Sequence, residues 1–281
     1  MRLELTFSSV RYTVELPGLT DKDYEAARSG LTADLARPEG EVKNREAICS
    51  AFLNLVRRSP AANPSDLWHH VVYRLYCEIL PKTRNQNPSQ SWVRASGDAL
   101  ELFLERWYGS VLLPHGITIA ALIGRAQKRA TLVSFGISKV VGDSKLDVAL
   151  ARIIAKDQRT PFGGVHVKAS LAERVSGDIP CSRALQKNGY LSPLWTLDVK
   201  SFPPPHGDLV NRGELGTHAS PSEKRKYVEV HGDFDHCYTA NTRSIASSPK
   251  TKSGKRVIVR DLAHQPDQFA KDIIAAAKLR R

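Results

Sequence analysis

Two short apolar segments that follow each other closely restrict the possible folds of this chain more than any other feature. The first, DVALARI, begins at Asp147, and the second, FGGVHVK, ends at Lys168, 21 residues later. Their apolar composition and the glycines beside them are typical of buried strands. Two adjacent strands with a tight connection would place the Asp147 carboxylate and the Lys168 ammonium at one edge of a sheet.

A carboxylate and an ammonium at such an edge can bind a divalent cation and the water beside it. Mg²⁺ prefers oxygen ligands, and a bound cation polarises a phosphoryl oxygen while the lysine orients or helps deprotonate the attacking water. The two residues also permit a plainer interpretation. An aspartate at the start of a strand is often a turn or capping residue, and a lysine at a strand end is usually a solvated flank.

The first 90 residues are predicted to form a helical arm. A period of two predicts strands over residues 3–7 and 11–16. Helical spacing follows from residue 21 to about residue 58, and a further helix, DLWHHVVYRLYCEIL, is expected to begin at a Ser65 or Asp66 cap and to end at Pro81. A polar loop, PKTRNQNPSQ, then closes the arm.

Residues 91–281 are predicted to form a mixed α/β core. An amphipathic helix over Asp98–Tyr108 follows a polar entry, and the remaining segments alternate between strand and helix patterns. Strands are expected in LLPHGITIAAL, ATLVSFGISKVV, LWTLDVKSF, KYVEVHG and RVIVRDL, and a last helix in DQFAKDIIAAAKLRR. The expected fold is therefore a central mixed β-sheet flanked by helices, with an N-terminal helical arm over residues 1–90.

The charge of the chain suggests a polyanionic partner. Its 41 Lys and Arg residues exceed its 29 Asp and Glu residues and give a formal charge of +12, which suits nucleic acid but also fits a merely basic protein.

No apolar run reaches the roughly 18 residues of a spanning helix, and the alternating N-terminal segment is unlike a signal peptide. The scattered cysteines argue against a zinc ribbon or disulfides and predict a cytoplasmic setting; they are Cys49, Cys77, Cys181 and Cys237.

The segment after Lys168, KASLAERVSGDIPCSRAL, carries a family resemblance. With the strand-opening Asp147, its pattern K-x-S/T-L-x-E-R resembles the CCGG-cutting restriction endonucleases of the PD-(D/E)xK superfamily, of the AgeI/BsaWI type, over about residues 91–200. The resemblance implies a restriction-endonuclease-like core and a type II site-specific deoxyribonuclease. It also implies a Mg²⁺-dependent cut of double-stranded DNA at a palindrome containing CCGG, A/CCGGT or a degenerate W/CCGGW.

The resemblance also implies catalytic residues. Asp147 matches the metal-binding aspartate and Lys168 the catalytic lysine, whereas His166 stands where most members have an acidic residue. In the CCGG-cutting group that acid comes from a position downstream of the lysine, where Glu173 and Asp178 are the candidates. We assign Asp178 to the metal; the SGD context makes it an equally good N-cap for the helix IPCSRAL.

Glu101 is a further candidate for the catalytic and metal site. The N-terminal helix of the superfamily often carries a glutamate that faces the metal, in a pattern resembling S-x-x-x-x-G-x-x-L-E, which SWVRASGDALE fits. The alternative is that Glu101 is a surface residue of the helix over Asp98–Tyr108.

DNA recognition is assigned to residues that follow Lys168. In the major groove a Glu accepts from cytosine N4 and an Arg donates to guanine O6 and N7, so Glu173 and Arg174 could read a CCGG tract. They could also be an ordinary solvated pair on a helix. Ala172 stands where the family often has another arginine, so that Arg183 or another segment would have to replace it. Expected phosphate contacts are Ser170, Lys187 and Arg183.

A palindromic site implies a two-fold homodimer, at least on DNA. Two other functions are open from the residues alone. One is a non-catalytic, sequence-specific DNA-binding protein, which would keep the positive charge without the Asp147–Lys168 pair. The other is a metal-dependent hydrolase built on the segment VEVHGDFDHCY, with the cluster His231, Asp233, Asp235 and His236.

Overall fold

A β-hairpin and a group of helices form the N-terminal part of the chain. The computed structural model describes residues 1–7, 10–142, 145–172, 175–200 and 210–279. Strands β1 (Arg2–Phe7) and β2 (Val10–Glu15) pair antiparallel, as predicted. The helical pattern that follows forms two helices, α1 (Asp21–Ala36) and α2 (Asn44–Arg58). They are separate because Pro38 disfavours the helical conformation at Arg37, which is extended.

The next helical segment begins earlier and ends later than its sequence predicts. Its first turn, α3 (Pro64–Asp66), continues as a π-helix over Leu67–Val72 and as α4 (Tyr73–Arg84). The predicted cap at Ser65 or Asp66 is wrong, because the Asn63 side chain accepts the hydrogen bond from Ser65 N. Pro81 lies inside α4, which ends at the left-handed residue Asn85.

A 25-residue helix, α5 (Pro88–Leu112), leads from the arm into the core. It extends the predicted helix over Asp98–Tyr108 in both directions and takes up the end of the predicted polar loop, of which residues 85–87 stay non-helical. Asn87 caps α5, and Pro88 suits its first position. The face that bears Leu100, Phe103 and Leu104 is buried, whereas Val93 is exposed, so the second half of α5 packs into the core.

The core is a six-stranded mixed sheet flanked by helices, as predicted. Three strands pair antiparallel in chain order, and the remaining ones continue from the third in parallel. In spatial order the strands are β3 (Ile117–Ala121), β4 (Val148–Ala155), β5 (Gln158–Lys168), β6 (Leu194–Thr196), β7 (Cys237–Thr239) and β8 (Val257–Val259). The core helices are α6 (Arg125–Ser134), α7 (Ile179–Lys187), α8 (Glu223–Glu229) and α9 (Gln268–Leu279).

Two segments predicted as strands are helical instead. ATLVSFGISKVV contains the end of α6, with Leu132 and Phe135 buried at a helical spacing of three. KYVEVHG contains the end of α8, whose first turn is capped by Ser222 through a hydrogen bond from Arg225 N. Short apolar runs fit both strands and helices, and here the caps and the packing decide.

The arm and the core share one hydrophobic cluster. Phe52 of α2 contacts both Trp68 and Phe103, with ring centroids 4.9 and 4.6 Å apart. A buried hydrogen bond of 2.9 Å from Asn63 Nδ2 to Asn241 Oδ1 ties the arm to the loop after β7. The arm therefore supports α5, while a domain boundary at residue 90 stays a prediction.

In the part of the chain that the structure describes, no helix has both the length and the hydropathy needed to cross a membrane.

Candidate active site

Strands β4 and β5 bring Asp147 and Lys168 together. Asp147 directly precedes β4, and Lys168 ends β5, which pairs antiparallel with β4. The Lys168 ammonium donates to Asp147 Oδ2 at 2.7 Å, and the backbone N–H of Val167 donates to the same oxygen at 2.8 Å. The structure thus confirms that the two side chains meet at one edge of the sheet.

Asp178 completes an ion triad with these two residues. It ends a short 3₁₀ turn, Ser176–Asp178, just before α7. Its carboxylate Oδ2 lies 2.6 Å from Lys168 Nζ, so that the ammonium bridges two buried carboxylates. Asp178 occupies the N-cap position of α7, but its side chain makes no capping hydrogen bond. The carboxylate is therefore directed to the site instead of to the helix.

His166 lies behind Asp178 in the fully buried interior. Its Nδ1 is 3.5 Å from Asp178 Oδ2, and its Nε2 is 3.2 Å from Ser192 Oγ. Ligand atoms of Asp147, His166 and Asp178 all lie within 4.8 Å of one another, and among the described residues this is the one cluster of three such groups suited to a metal ion.

Glu101 approaches the same site from α5. It is buried, although a solvent-exposed position was the alternative interpretation of the sequence. Glu101 Oε1 accepts from the Lys128 ammonium at 3.1 Å, and the same ammonium lies 3.4 Å from Asp147 Oδ1. Two other acidic residues of α5 are engaged elsewhere: Glu105 accepts from Ala121 N, and Asp98 forms an ion pair with Arg45.

Burial and mutual repulsion shape the ionisation of these groups. Burial and the neighbouring Asp147 carboxylate raise the pKa of Glu101 to about 9, against the opposing effect of Lys128. Burial also opposes ionisation of Asp147, but Lys168 and Lys128 outweigh it and hold the pKa of Asp147 low. In turn Asp147 and Asp178 overcome burial and raise the pKa of Lys168. Lys168 is therefore a firmly protonated hydrogen-bond donor.

These residues fit a hard divalent cation. Asp147 and Asp178 place carboxylate oxygens within 4.8 Å of each other. Glu101 lines one cavity with them and shares the Lys128 ammonium with Asp147. Hard cations prefer such oxygen ligands. Glu101 Oε2 is buried and accepts no hydrogen bond from any residue that the structure describes, which is a costly state unless a cation uses the oxygen. His166 adds a nitrogen, which Mg²⁺ uses less readily than transition metals do.

The acidic cluster lies in a cavity of about 680 Å³ between α5 and the end of β5. Glu101, Asp147, Lys168 and Asp178 line it, and Ser170 extends it along the chain after β5. A substrate that enters this cavity meets both ammonium and carboxylate groups in its lining.

A curated relative covers almost the whole chain. The sequence is 44% identical to the Type II restriction enzyme AgeI of Thalassovita gelatinovora over 283 residues, which include 98% of this chain and 99% of AgeI. This chain belongs to the AgeI family of type II restriction endonucleases. As a member it is a site-specific deoxyribonuclease, and the predicted AgeI/BsaWI type is confirmed.

A family model and the solved structure of AgeI also support membership of the AgeI family. The family model of the BsaWI restriction endonuclease, type 2, matches residues 125–260, which include Asp147, Lys168 and Asp178. The structure matches AgeI in its specific complex with DNA at a TM-score of 0.92 and 44% identity, over 98% of this chain and 99% of that chain. BsaWI in a pre-specific DNA complex gives a TM-score of 0.44 and 16% identity, over 91% and 93%.

The residues of the alternative hydrolase cluster contact separate partners and do not form a common metal-binding site. Asp233 accepts from Arg183 Nε at 2.7 Å, and Asp235 forms an ion pair with Lys255. His236 accepts from Arg256 N, and the exposed His231 belongs to no metal-binding cluster among the described residues. Both the metal-hydrolase interpretation and the interpretation as a non-catalytic DNA-binding protein are wrong for a member of the AgeI family.

The structure describes only some of the residues predicted to recognise DNA. Glu173 and Arg174 lie outside the described residues. Arg183 pairs with Asp233 while most of its side chain is exposed, and Ser170 Oγ donates to Glu214 at 3.1 Å. Roles of these residues in recognition stay predictions.

Sequence reasoning missed Lys128. The segment RAQKRA that contains it follows Gly124 and begins α6, but the apolar run after it suggested a strand. Lys128 and the buried Leu132 are four residues apart and therefore share one face of the helix. That spacing was the available signal that Lys128 points inward.

Proposed function

We propose that this enzyme hydrolyses phosphodiester bonds of double-stranded DNA with Mg²⁺ at a palindrome containing CCGG. A/CCGGT is the first candidate site and the degenerate W/CCGGW the second. The observation that carries the proposal is the triad of Asp147, Lys168 and Asp178 beside Glu101 in one cavity. The 44% identity to AgeI supports DNA as the substrate.

Asp147, Asp178 and Glu101 would hold the cation, since all three are buried acids that line one cavity. When bound, Mg²⁺ supplies polarisation of a phosphoryl oxygen and stabilisation of the leaving oxygen. Lys168 orients the attacking water or a phosphate oxygen. Asp147 and Asp178 raise the pKa of Lys168, so its ammonium acts as a hydrogen-bond donor.

Glu173 and Arg174 are proposed to read the bases of the CCGG tract. Their place directly after the chain segment of Lys168 and Ser170 supports this role, because that segment lines the catalytic cavity. Ser170 and Arg183 would add contacts, and Arg183 would first have to exchange its ion pair with Asp233. Arg–guanine and Glu–cytosine pairs each contribute about 1–3 kcal/mol of discrimination between bases.

A homodimer is proposed for the DNA-bound state. A palindrome has two-fold symmetry, and two copies related by that axis place one catalytic cavity on each strand. The formal charge of +12 favours association of two copies with the polyanionic duplex.

The test is a digestion of phage DNA by purified protein in Mg²⁺, followed by sequencing of the fragment ends. We expect discrete fragments whose ends share ACCGGT or WCCGGW, and no fragments with Asp147→Asn. Fragment ends that share a site without CCGG would contradict the proposed specificity. Intact DNA under every Mg²⁺ condition would contradict the proposed reaction.

Base reading is tested separately by equilibrium binding to duplexes in Ca²⁺. Glu173→Gln and Arg174→Ala should weaken binding to the CCGG duplex by roughly 10- to 100-fold and leave binding to unrelated duplexes unchanged. Lys187→Ala is the matched control. It removes one exposed charge of α7 and should weaken binding to all duplexes alike. Equal losses on all duplexes for Glu173→Gln would remove the base-reading role.

A further inference from the structure

We propose that Lys128 is an internal counter-ion that closes the cation site in the DNA-free enzyme and leaves when a divalent cation binds. The inference rests on the proposed metal-binding roles of Glu101 and Asp147. It adds a residue from α6, which no sequence motif assigned to the site.

The contacts of Asp147 divide its two oxygens between two lysines. Oδ2 accepts from Lys168 Nζ and from Val167 N, at 2.7 and 2.8 Å. Oδ1 faces Lys128 Nζ at 3.4 Å, and the same ammonium donates to Glu101 Oε1 at 3.1 Å. Lys128 thus occupies the space between the two carboxylates that a shared cation would use.

The charge balance explains why a lysine is present there. Glu101, Asp147 and Asp178 bring three carboxylates into a buried site, and Lys168 pairs with only two of them. Ionised Glu101 would otherwise face Asp147 without a counter-ion, and buried charges need a partner; Lys128 opposes the effect by which Asp147 and burial raise the pKa of Glu101. The ammonium is a compact charge, so it neutralises the pair much as a metal ion does.

Lys128 can leave this position at little structural cost. It is carried on a flexible four-carbon stem, and its side chain is still 13% exposed, at the edge of the site. Leu132 is the buried residue of α6, a helix that begins after Gly124 without a side-chain cap. The ammonium can therefore move to solvent while α6 stays docked. A cation that binds Glu101 and Asp147 must displace the Lys128 ammonium, because two positive charges between the same two carboxylates repel each other strongly.

The experiment measures Ca²⁺ binding to metal-stripped, DNA-free protein by titration calorimetry. We compare the wild type with Lys128→Met and with Arg129→Met, an exposed neighbour on α6 whose replacement changes the net charge equally. Measurements at pH 9 ionise a larger share of Glu101 than measurements at pH 7 do, because the pKa of Glu101 is raised to about 9. Lys128→Met should bind Ca²⁺ at least roughly tenfold more tightly, whereas Arg129→Met should match the wild type. Lys128→Arg, which keeps the charge, should show no gain.

If the tighter Ca²⁺ binding of Lys128→Met arises at this site, it must depend on Asp147. The double variant Lys128→Met, Asp147→Asn should therefore lose the gain in Ca²⁺ affinity. Equal or weaker Ca²⁺ binding by folded Lys128→Met, including the case in which neither protein binds, would overturn the proposal. Lys128→Gln provides a second variant if circular dichroism shows that Lys128→Met is misfolded. DNA cleavage by the wild type in Mg²⁺ is scored independently, so that an active enzyme without the Lys128→Met gain overturns only the role of Lys128.

Discussion

The Lys168 ammonium donates to Asp147 Oδ2 at 2.7 Å across 21 residues of sequence. Antiparallel pairing of β4 with β5 produces this contact, because Asp147 precedes one strand and Lys168 ends the other. Asp178 lies on the other side of the same ammonium, at 2.6 Å. The catalytic proposal therefore depends on one lysine that holds two carboxylates in a buried cavity.

Removal of either member of this pair should abolish cleavage without abolishing DNA binding. Asp147→Asn and Lys168→Met should each lower the single-turnover cleavage rate by at least about 10³-fold, the effect of losing several kcal/mol of transition-state stabilisation. Binding to the cognate duplex in Ca²⁺ should persist. Lys156→Met, in the turn between β4 and β5, is the control and should cleave normally. A variant that loses both cleavage and binding would indicate misfolding instead.

Asp178 should supply the second carboxylate of the catalytic site, because His166 stands where most members of the superfamily have an acidic residue. Asp178→Asn keeps the shape of the side chain but removes its charge, so cleavage should fall by about as much as in Asp147→Asn. Asp157→Asn, in an exposed turn, should have no effect. The measurement is the cleavage rate as a function of Mg²⁺ concentration. Near-normal cleavage by Asp178→Asn would remove this residue from the site.

The junction between arm and core should be sensitive to Asn241. Its side chain is fully buried, accepts from Asn63 Nδ2 and donates to Asp198 O. Asn241→Ala leaves these buried groups unpaired and should lower the free energy of unfolding by about 2–3 kcal/mol. Asn188→Ala, at the exposed end of α7, should cost about 0.5 kcal/mol or less. Urea unfolding compares the two, and equal losses would contradict a stabilising junction.

Acid should destabilise the fold partly through His70. Burial lowers the pKa of His70 to about 3, whereas the unfolded chain keeps the ordinary value near 6.5. The unfolded state therefore binds the proton first, and stability is lost as the pH falls below about 6.5 towards 3, by up to about 1.4 kcal/mol per pH unit. His70→Phe should flatten this part of the stability profile, and the exposed His115→Phe should not. Identical profiles would contradict the assignment.

The sequence predicted the parts of the site that lie on strongly patterned strands. The apolar runs of β4 and β5 located Asp147 and Lys168, and a family resemblance added Asp178 and Glu101. Lys128 was not predictable in the same way, because its place depends on how α6 docks beside α5. The apolar segments of α6 and α8 fit two periodicities, and only caps and buried contacts distinguish them.

Single-turnover cleavage of a short duplex containing ACCGGT tests the central claim most directly. The wild type should cut both strands in Mg²⁺ and stop when EDTA is added, while Asp147→Asn, Lys168→Met and Asp178→Asn should bind the duplex in Ca²⁺ without cutting it in Mg²⁺. Cleavage at wild-type rates by any of these three folded variants would contradict the assignment of the catalytic site to the Asp147–Lys168–Asp178 triad.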